Sequence, residues 1–278
     1  MTNPHMKYLL EHLPILPEVV DELRYLKRNH PQDFDKYMAL IEKDSVCCSK
    51  ILKVVNSKPF SFDNYIDTPT KAINLLGINF THALLVYEHI KNSFRINLEA
   101  YGSNALEFDL IALYSTKVAL KWIDSSTCND REKLILPMLL NDIGKFIIAS
   151  VLKKEDKVDH FFDLINSTTN IPSIEKSVLG ATSSEISGYI FKTWKFNNDF
   201  VKTIFYMDNP LEAKENKKVI LQLHAIKTIF NLNSPMEKSC INFALEKLKG
   251  LDFNVNKLRS ILEEIEEDFF SEYQKIRK

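Results

Sequence analysis

Glycine is scarce in this chain, with six among 278 residues. The two nearest, Gly180 and Gly188, are eight positions apart, so neither a GxGxxG nor a GxxxxGK loop occurs, and a phosphate cradle of either type is excluded. Cysteine is scarce too. Cys47, Cys48, Cys128 and Cys240 include one adjacent pair and no CxxC, which fits neither a zinc knuckle nor a disulfide framework. They read as reduced, mostly buried thiols. Net charge is almost absent: 36 Lys and Arg against 37 Asp and Glu leave a formal charge of -1. The basic residues fall in scattered pairs such as Lys153 and Lys154, which argues against nucleic acid as a partner. No apolar run approaches a membrane span, and Lys7 and Glu11 interrupt what would have to be the core of a signal peptide. The expectation is a soluble cytoplasmic protein with no membrane partner.

What the chain has is helical periodicity from end to end. In LPILPEVVDELRYLKRNH, residues 13–30, Pro17 suits a first helical turn, and Val19, Leu23 and Leu26 recur at helical spacing. Asp33 can cap a second helix, and Asp44 or Ser45 a third, DSVCCSKILKVVNS, with Cys48, Ile51, Leu52 and Val55 facing the core. Thr68 and Pro69 restart a helix that Gly77 closes. On the following helix His82 and His89 are seven apart and share a face, but no third ligand stands at helical spacing, so they read as a partly exposed polar face. The polar stretch 97–104 marks a boundary between an N-terminal lobe, residues 1–100, and a second lobe, residues 101–278. The last helix carries Leu258, Leu262, Ile265, Phe269, Tyr273 and Ile276 along one stripe, too short for a coiled coil, and is expected to dock on the body. The fold class is all-α.

The stretch PMLLNDIGKFIIA, residues 137–149, stands apart because apolar runs enclose Asn141 and Asp142, with Gly144 allowing close backbone approach and Lys145 three residues after the carboxylate. Polar groups inside a core need a reason. Two readings stand: a hydrogen-bonded helix junction that fixes packing, and a site.

Several separate stretches resemble one family, the HDOD domain, a helical signalling module related to the HD and HD-GYP phosphohydrolases. LPILPEVVDELRYL, DSVCCSKILKVVNSKPF and TPTKAINLLGI are similar to its N-terminal half. LPMLLNDIGKFII, SVLGATSSEISGYIFKTWKF and IFYMDNP are similar to its HD-like core. The resemblance implies an all-α, multi-helix HD-like domain with an N-terminal helical lobe. It also implies where an active relative would hold its metal: an early histidine at Tyr114, a His-Asp pair at Asn141 and Asp142, another histidine near Ser183, and late paired histidines about Met207 and Asp208. Only Asp142 keeps its ligand type.

A phenol, an amide, a hydroxyl and a thioether offer no strong neutral nitrogen donor, so they cannot replace imidazoles around Mn, Fe or Mg. Without the metal there is no activated hydroxide, and the relatives' hydrolysis loses its nucleophile. Ser183 and the cysteines have no histidine nearby in sequence to activate them. Tyr114, Asn141, Asp142, Lys145, Ser183, Met207 and Asp208 are therefore expected to form a degenerate site with no catalytic residue, no metal and no cofactor. The resemblance implies a non-catalytic regulatory protein that acts through a protein partner in a signalling pathway. In that family the module often sits beside receiver or diguanylate cyclase domains; here it is expected to stand alone, with input through a partner, a ligand or expression level. Two alternatives stay open: a vestigial pocket that senses a small nucleotide ligand, and a residual phosphohydrolase.

Overall fold

The computed structural model describes residues 3–60, 64–124, 127–128 and 132–277, and among these every regular element is a helix. The start of the helix expected from Asp130, and part of the loop after Phe60, lie outside the described residues. The chain divides into two compact units, Pro14–Phe94 and Met1–Leu13 with Arg95–Lys278. The second unit begins with α1 (Pro4–Glu11), a helix that periodicity did not reveal. Its local signal is Asn3, whose side chain accepts from the His5 and Met6 amides, followed by Pro4 in the first turn.

In the unit Pro14–Phe94, α2 (Glu18–Asn29) follows Pro17, α3 (Phe34–Glu42) starts at Asp33, and α4 (Ser45–Val55) starts at Asp44. Asn56 ends α4 and then fixes the next loop, donating to the Ile66 carbonyl at 2.7 Å and accepting from the Ile66 amide at 2.8 Å. α5 (Pro69–Leu76) is capped by Thr68 and closed by Gly77, which also opens α6 (Ile78–Asn92). Gly77 has φ +81° with open space where a β-carbon would stand, so its dihedral alone demands glycine. α6 packs with α2, α4 and α5.

Two expectations are corrected here. Cys47, Ile51, Val54 and Val55 are the buried residues of α4, while Cys48 and Leu52 are only partly buried. The i, i+4, i+7, i+8 stripe from Cys47 gathers the branched side chains against α5 and α6, turning the helix from the face expected. His82 is buried, not exposed: its Nδ1 lies 3.3 Å from the Tyr37 hydroxyl, and burial lowers the ring to about 4.

The other unit continues through α7 (Ala105–Trp122), α8 (Glu132–Leu140), α9 (Gly144–Lys154), α10 (Val158–Asn166), α11 (Ile171–Leu179), α12 (Ser183–Thr193) and α13 (Asn198–Phe205). α14 (Lys217–Ile229), α15 (Lys238–Leu248) and α16 (Val255–Arg277) complete it. α16 docks along α7, burying Leu258, Ile261, Leu262, Ile265, Phe269 and Tyr273. Apolar side chains of this size contribute about 1.5–3 kcal/mol each on full burial, whereas an exposed ion pair such as Lys121–Glu264 contributes less than about 1 kcal/mol, so the stripe holds this helix.

One apolar run does reach spanning length, contrary to the sequence reading. Lys133–Lys154 covers 22 residues with a mean hydropathy of 1.7 in its most apolar window, but 89% of that window is buried inside the protein. The turn Asn141–Ile143 breaks the run into α8 and α9. Gly144 then brings α9 onto α12. A β-carbon there would overlap the Ser183 carbonyl oxygen and stand 3.0 Å from the Ser187 amide. The Gly144 amide donates to Ser187 Oγ at 2.8 Å, and that hydroxyl reaches the Asn141 and Ser183 carbonyls at 2.8 Å each. Gly144→Ala is therefore expected to lower stability by about 3 kcal/mol, the upper end of overpacking costs. Urea denaturation measures it, and a loss below about 0.5 kcal/mol would contradict the close approach.

Candidate functional site

α12 begins with a capping box: Thr182 Oγ1 accepts from the Glu185 amide at 3.2 Å, and Glu185 accepts from the Thr182 amide at 2.9 Å. The box fixes the first turn, whose free amides point at two carboxylates. The Ser183 amide donates to Glu175 Oε2 at 2.5 Å and the Ser184 amide to Asp208 Oδ2 at 3.0 Å. Both anions gain from the partial positive charge of a helix N-terminus.

At the centre of this arrangement is Lys227, from the last turn of α14. Its ammonium lies 2.7 Å from Asp208 Oδ1, 2.6 Å from Ser184 Oγ, 3.3 Å from Ser183 Oγ and 3.3 Å from Asp142 Oδ1. Asp142 uses its other oxygen to accept from Lys145 at 3.0 Å, and Lys145 lies 5.2 Å from the centre of the Tyr101 ring. The Tyr101 hydroxyl donates to Glu175 Oε1 at 2.8 Å, closing the network. The side chains of Asp142, Asp208, Lys145 and Lys227 are each 10% exposed or less.

Burial alone would push the Asp208 carboxyl up. The Lys227 charge and the hydrogen bonds from Lys227 and Ser184 overcome it and hold the group well below the ordinary carboxylate range. Burial would likewise pull Lys227 down, but Asp208, Asp142 and Glu175 keep it above the usual lysine value. Glu175 moves the other way: burial raises it and Asp208 adds to that, against Lys145, Lys227 and the Ser183 amide. His224 stays neutral. Burial, then Lys247, lowers it to about 4; its Nδ1–H donates to the Met207 carbonyl at 2.7 Å and its Nε2 accepts from Lys247 at 3.1 Å.

Of the residues singled out in the sequence, Asp142, Lys145, Ser183 and Asp208 meet in this network. Asn141 sits beside it, donating to the Met138 carbonyl at 2.7 Å. Met207 takes part through its carbonyl. Tyr114 lies elsewhere, its hydroxyl donating to Glu272 at 3.1 Å and its ring 5.1 Å from that of Phe269 on α16. The next residue, Ser115, is the polar side chain of α7 that lines a cavity with Asn141, Asp142 and Lys227. Sequence reasoning missed Lys227, Ser184, Glu175 and Tyr101. Lys227 did leave a signal: it continues the buried stripe Ile220, Leu223, His224 at helical spacing, a lysine where a core residue is due.

The donor set does not fit a metal of the HD type. Asp142 and Asp208 are engaged by an internal cation, Glu175 by Tyr101 and the Ser183 amide, and the His224 ring by the Met207 carbonyl and Lys247, while the remaining positions hold an amide and hydroxyls. The cavities flanking the network measure about 10 and 20 Å³, each the space of a water molecule or so.

A profile of the HDOD domain family matches residues 13–210. No curated protein matches. Among solved structures, the chain resembles a candidate phosphohydrolase from Shewanella amazonensis SB2B with a TM-score of 0.68, 16% identity and 96% of both chains covered. It resembles an HDOD domain protein of unknown function from Geobacter sulfurreducens with a TM-score of 0.65, 15% identity, and 95% of this chain and 94% of that one covered. A candidate signal transduction protein from Marinobacter aquaeolei VT8 gives a TM-score of 0.70 and 16% identity over all of this chain, which spans 62% of that one. At these identities the likeness is one of fold.

The network makes a pH prediction. Because Asp208 is held below its ordinary 3.8, its contribution to stability is present above that pH and is lost as pH falls through the folded value. Lys227→Met leaves Asp208 buried without its cation, a change expected to cost about 3–5 kcal/mol at pH 7. The unopposed burial then raises Asp208, so that penalty is expected to shrink as pH falls and the carboxyl is protonated. Urea midpoints of both proteins from pH 7 down to 4 measure this, and a penalty independent of pH would contradict it.

Proposed function

The chain belongs to the HDOD domain family, matched over residues 13–210, and from that premise we propose that it is a non-catalytic signal-transduction protein acting through a protein partner. One observation carries the reading: the Lys227 ammonium lies between Asp208, at 2.7 Å, and Asp142, at 3.3 Å. A divalent ion brought to those carboxylates would meet a fixed positive charge in a poorly solvated place, and it would have to displace hydrogen bonds that are already made. With no activated water, the degenerate site serves as a structural clamp. The name of the Marinobacter aquaeolei protein points to signalling as well. We place the protein in the cytoplasm, which suits a chain whose cysteine spacing fits no disulfide framework.

The rival readings meet specific obstacles. A residual phosphohydrolase would need Lys227 to leave the carboxylates, and a nucleotide sensor would need a pocket far larger than 20 Å³. The test is hydrolysis of linear and cyclic nucleotides by the intact chain with Mn2+ or Fe2+ under reducing conditions. No turnover above the protein-free blank is expected. Turnover that Asp142→Ala abolishes would overturn the proposal. A partner captured by cross-linking in the source cells is expected to bind Asp142→Asn as it binds the wild type, and loss of that binding with the fold intact would count against a purely structural role for the clamp.

A further inference from the structure

A second convergence of ligand-type side chains lies in the unit Pro14–Phe94. Asp44 caps α4, and its Oδ1 accepts from the Val46 amide at 2.9 Å and the Cys47 amide at 3.2 Å. That capping fixes the carboxylate and turns Oδ2 toward Cys47 Sγ, 3.3 Å away. From α6, His89 places Nε2 3.1 Å from the same sulfur and 3.5 Å from the same oxygen. Sulfur, nitrogen and oxygen thus form a triangle with edges of 3.1, 3.3 and 3.5 Å. Zinc bonds of roughly 2.3 Å to sulfur and 2.0–2.2 Å to nitrogen and oxygen give tetrahedral edges of about 3.3–3.6 Å.

A proton relay is built differently. In a Cys–His–carboxylate relay the thiol and the carboxylate engage opposite ring nitrogens, whereas here both face Nε2, so the three groups converge on a point. Cys47 is buried, while the side chains of His89 and Asp44 are 17% and 31% exposed, which leaves one side open for an ion to enter and keep a water. We propose that Cys47, His89 and Asp44 bind a divalent thiophilic cation, of which zinc is the type, leaving the fourth position to solvent. The mixed sulfur, nitrogen and oxygen set suits zinc over magnesium or calcium. His82, the residue that shares a face with His89, takes no part, because it is held by Tyr37. The ligands come instead from a neighbouring helix, which spacing along α6 alone could not reveal.

Burial, then the hydrogen bond to Asp44 and the Asp44 charge, push the Cys47 thiol up to about 12, so without an ion it carries its proton. Binding then releases that proton, and affinity rises with pH.

The test uses the intact, reduced, metal-free chain and Co2+ alone. One equivalent is expected to give a thiolate-to-cobalt charge-transfer band with the strong visible bands of a four-coordinate ion, releasing about one proton at neutral pH. Zn2+ should displace it. Cys47→Ser and His89→Ala should lose the band. Cys48→Ser should keep it, and so should Asp142→Asn, which separates this site from the clamp around Lys227. Asp44→Asn keeps an N-cap of equal quality while removing the carboxylate, so weaker binding there with unchanged far-UV circular dichroism reports a lost ligand and not a lost helix. A wild-type chain that gives no band, or a band that survives Cys47→Ser, would overturn the proposal.

Discussion

A buried lysine ammonium is costly unless oxygen atoms replace its water, and the arrangement around Lys227 is organised to supply them. Two hydroxyls from the first turn of α12, a carboxylate just after α13 and another in the turn between α8 and α9 meet on one nitrogen. Each of these has its own support. The capping box sets the first turn of α12, the Ser183 and Ser184 amides hold Glu175 and Asp208, and Ser187 ties the α8–α9 turn to α12 through the space that Gly144 leaves. Asp142, Ser183 and Asp208, three of the positions to which the resemblance assigns a metal site, lie around a cation carried by the chain itself. An ammonium supplies a central positive charge without the Lewis acidity of a metal ion.

Much of this was legible in the sequence. Capping residues such as Asp33, Asp44 and Thr68, with Gly77 closing α5, bounded helices in agreement with the structure, because caps act locally. The run around Asn141, Asp142 and Gly144 announced a buried polar junction, since apolar flanks on both sides leave such groups no route to water. The docking of α16 followed from its stripe. Helix phase was harder: on α4 the buried cysteine is Cys47 and not Cys48, and on α7 the polar side chain lining the cavity is Ser115 and not Tyr114. One residue along a helix rotates a side chain by about 100°, so a shift too small to disturb a pattern decides what the residue touches.

Pairings between distant helices were not legible at all. Lys227 is 19 residues from Asp208 and 43 from Ser184, and Cys47 is 42 from His89. No periodicity links such positions; only tertiary packing, such as that of α4 on α6, brings them together. A polar residue on a core stripe, Lys227 or Glu175, is the trace that such pairings leave in a sequence. It says that a partner exists and not which one. The two clusters also differ in kind: around Lys227 the cation is part of the chain, while Asp44, Cys47 and His89 present three ligand atoms to a common point.

The central claim is that Lys227 is a buried, charged ammonium bound to Asp208, and nitrogen-15 NMR of the lysine side chains tests it most directly. The account predicts an ammonium signal, absent from Lys227→Met, that exchanges slowly with water and does not titrate at or below the ordinary lysine value of 10.5. A Lys227 amine that exchanges freely, or loses its proton near neutral pH, would mean that the two carboxylates lack their internal cation, and the case against a metal at that site would fall.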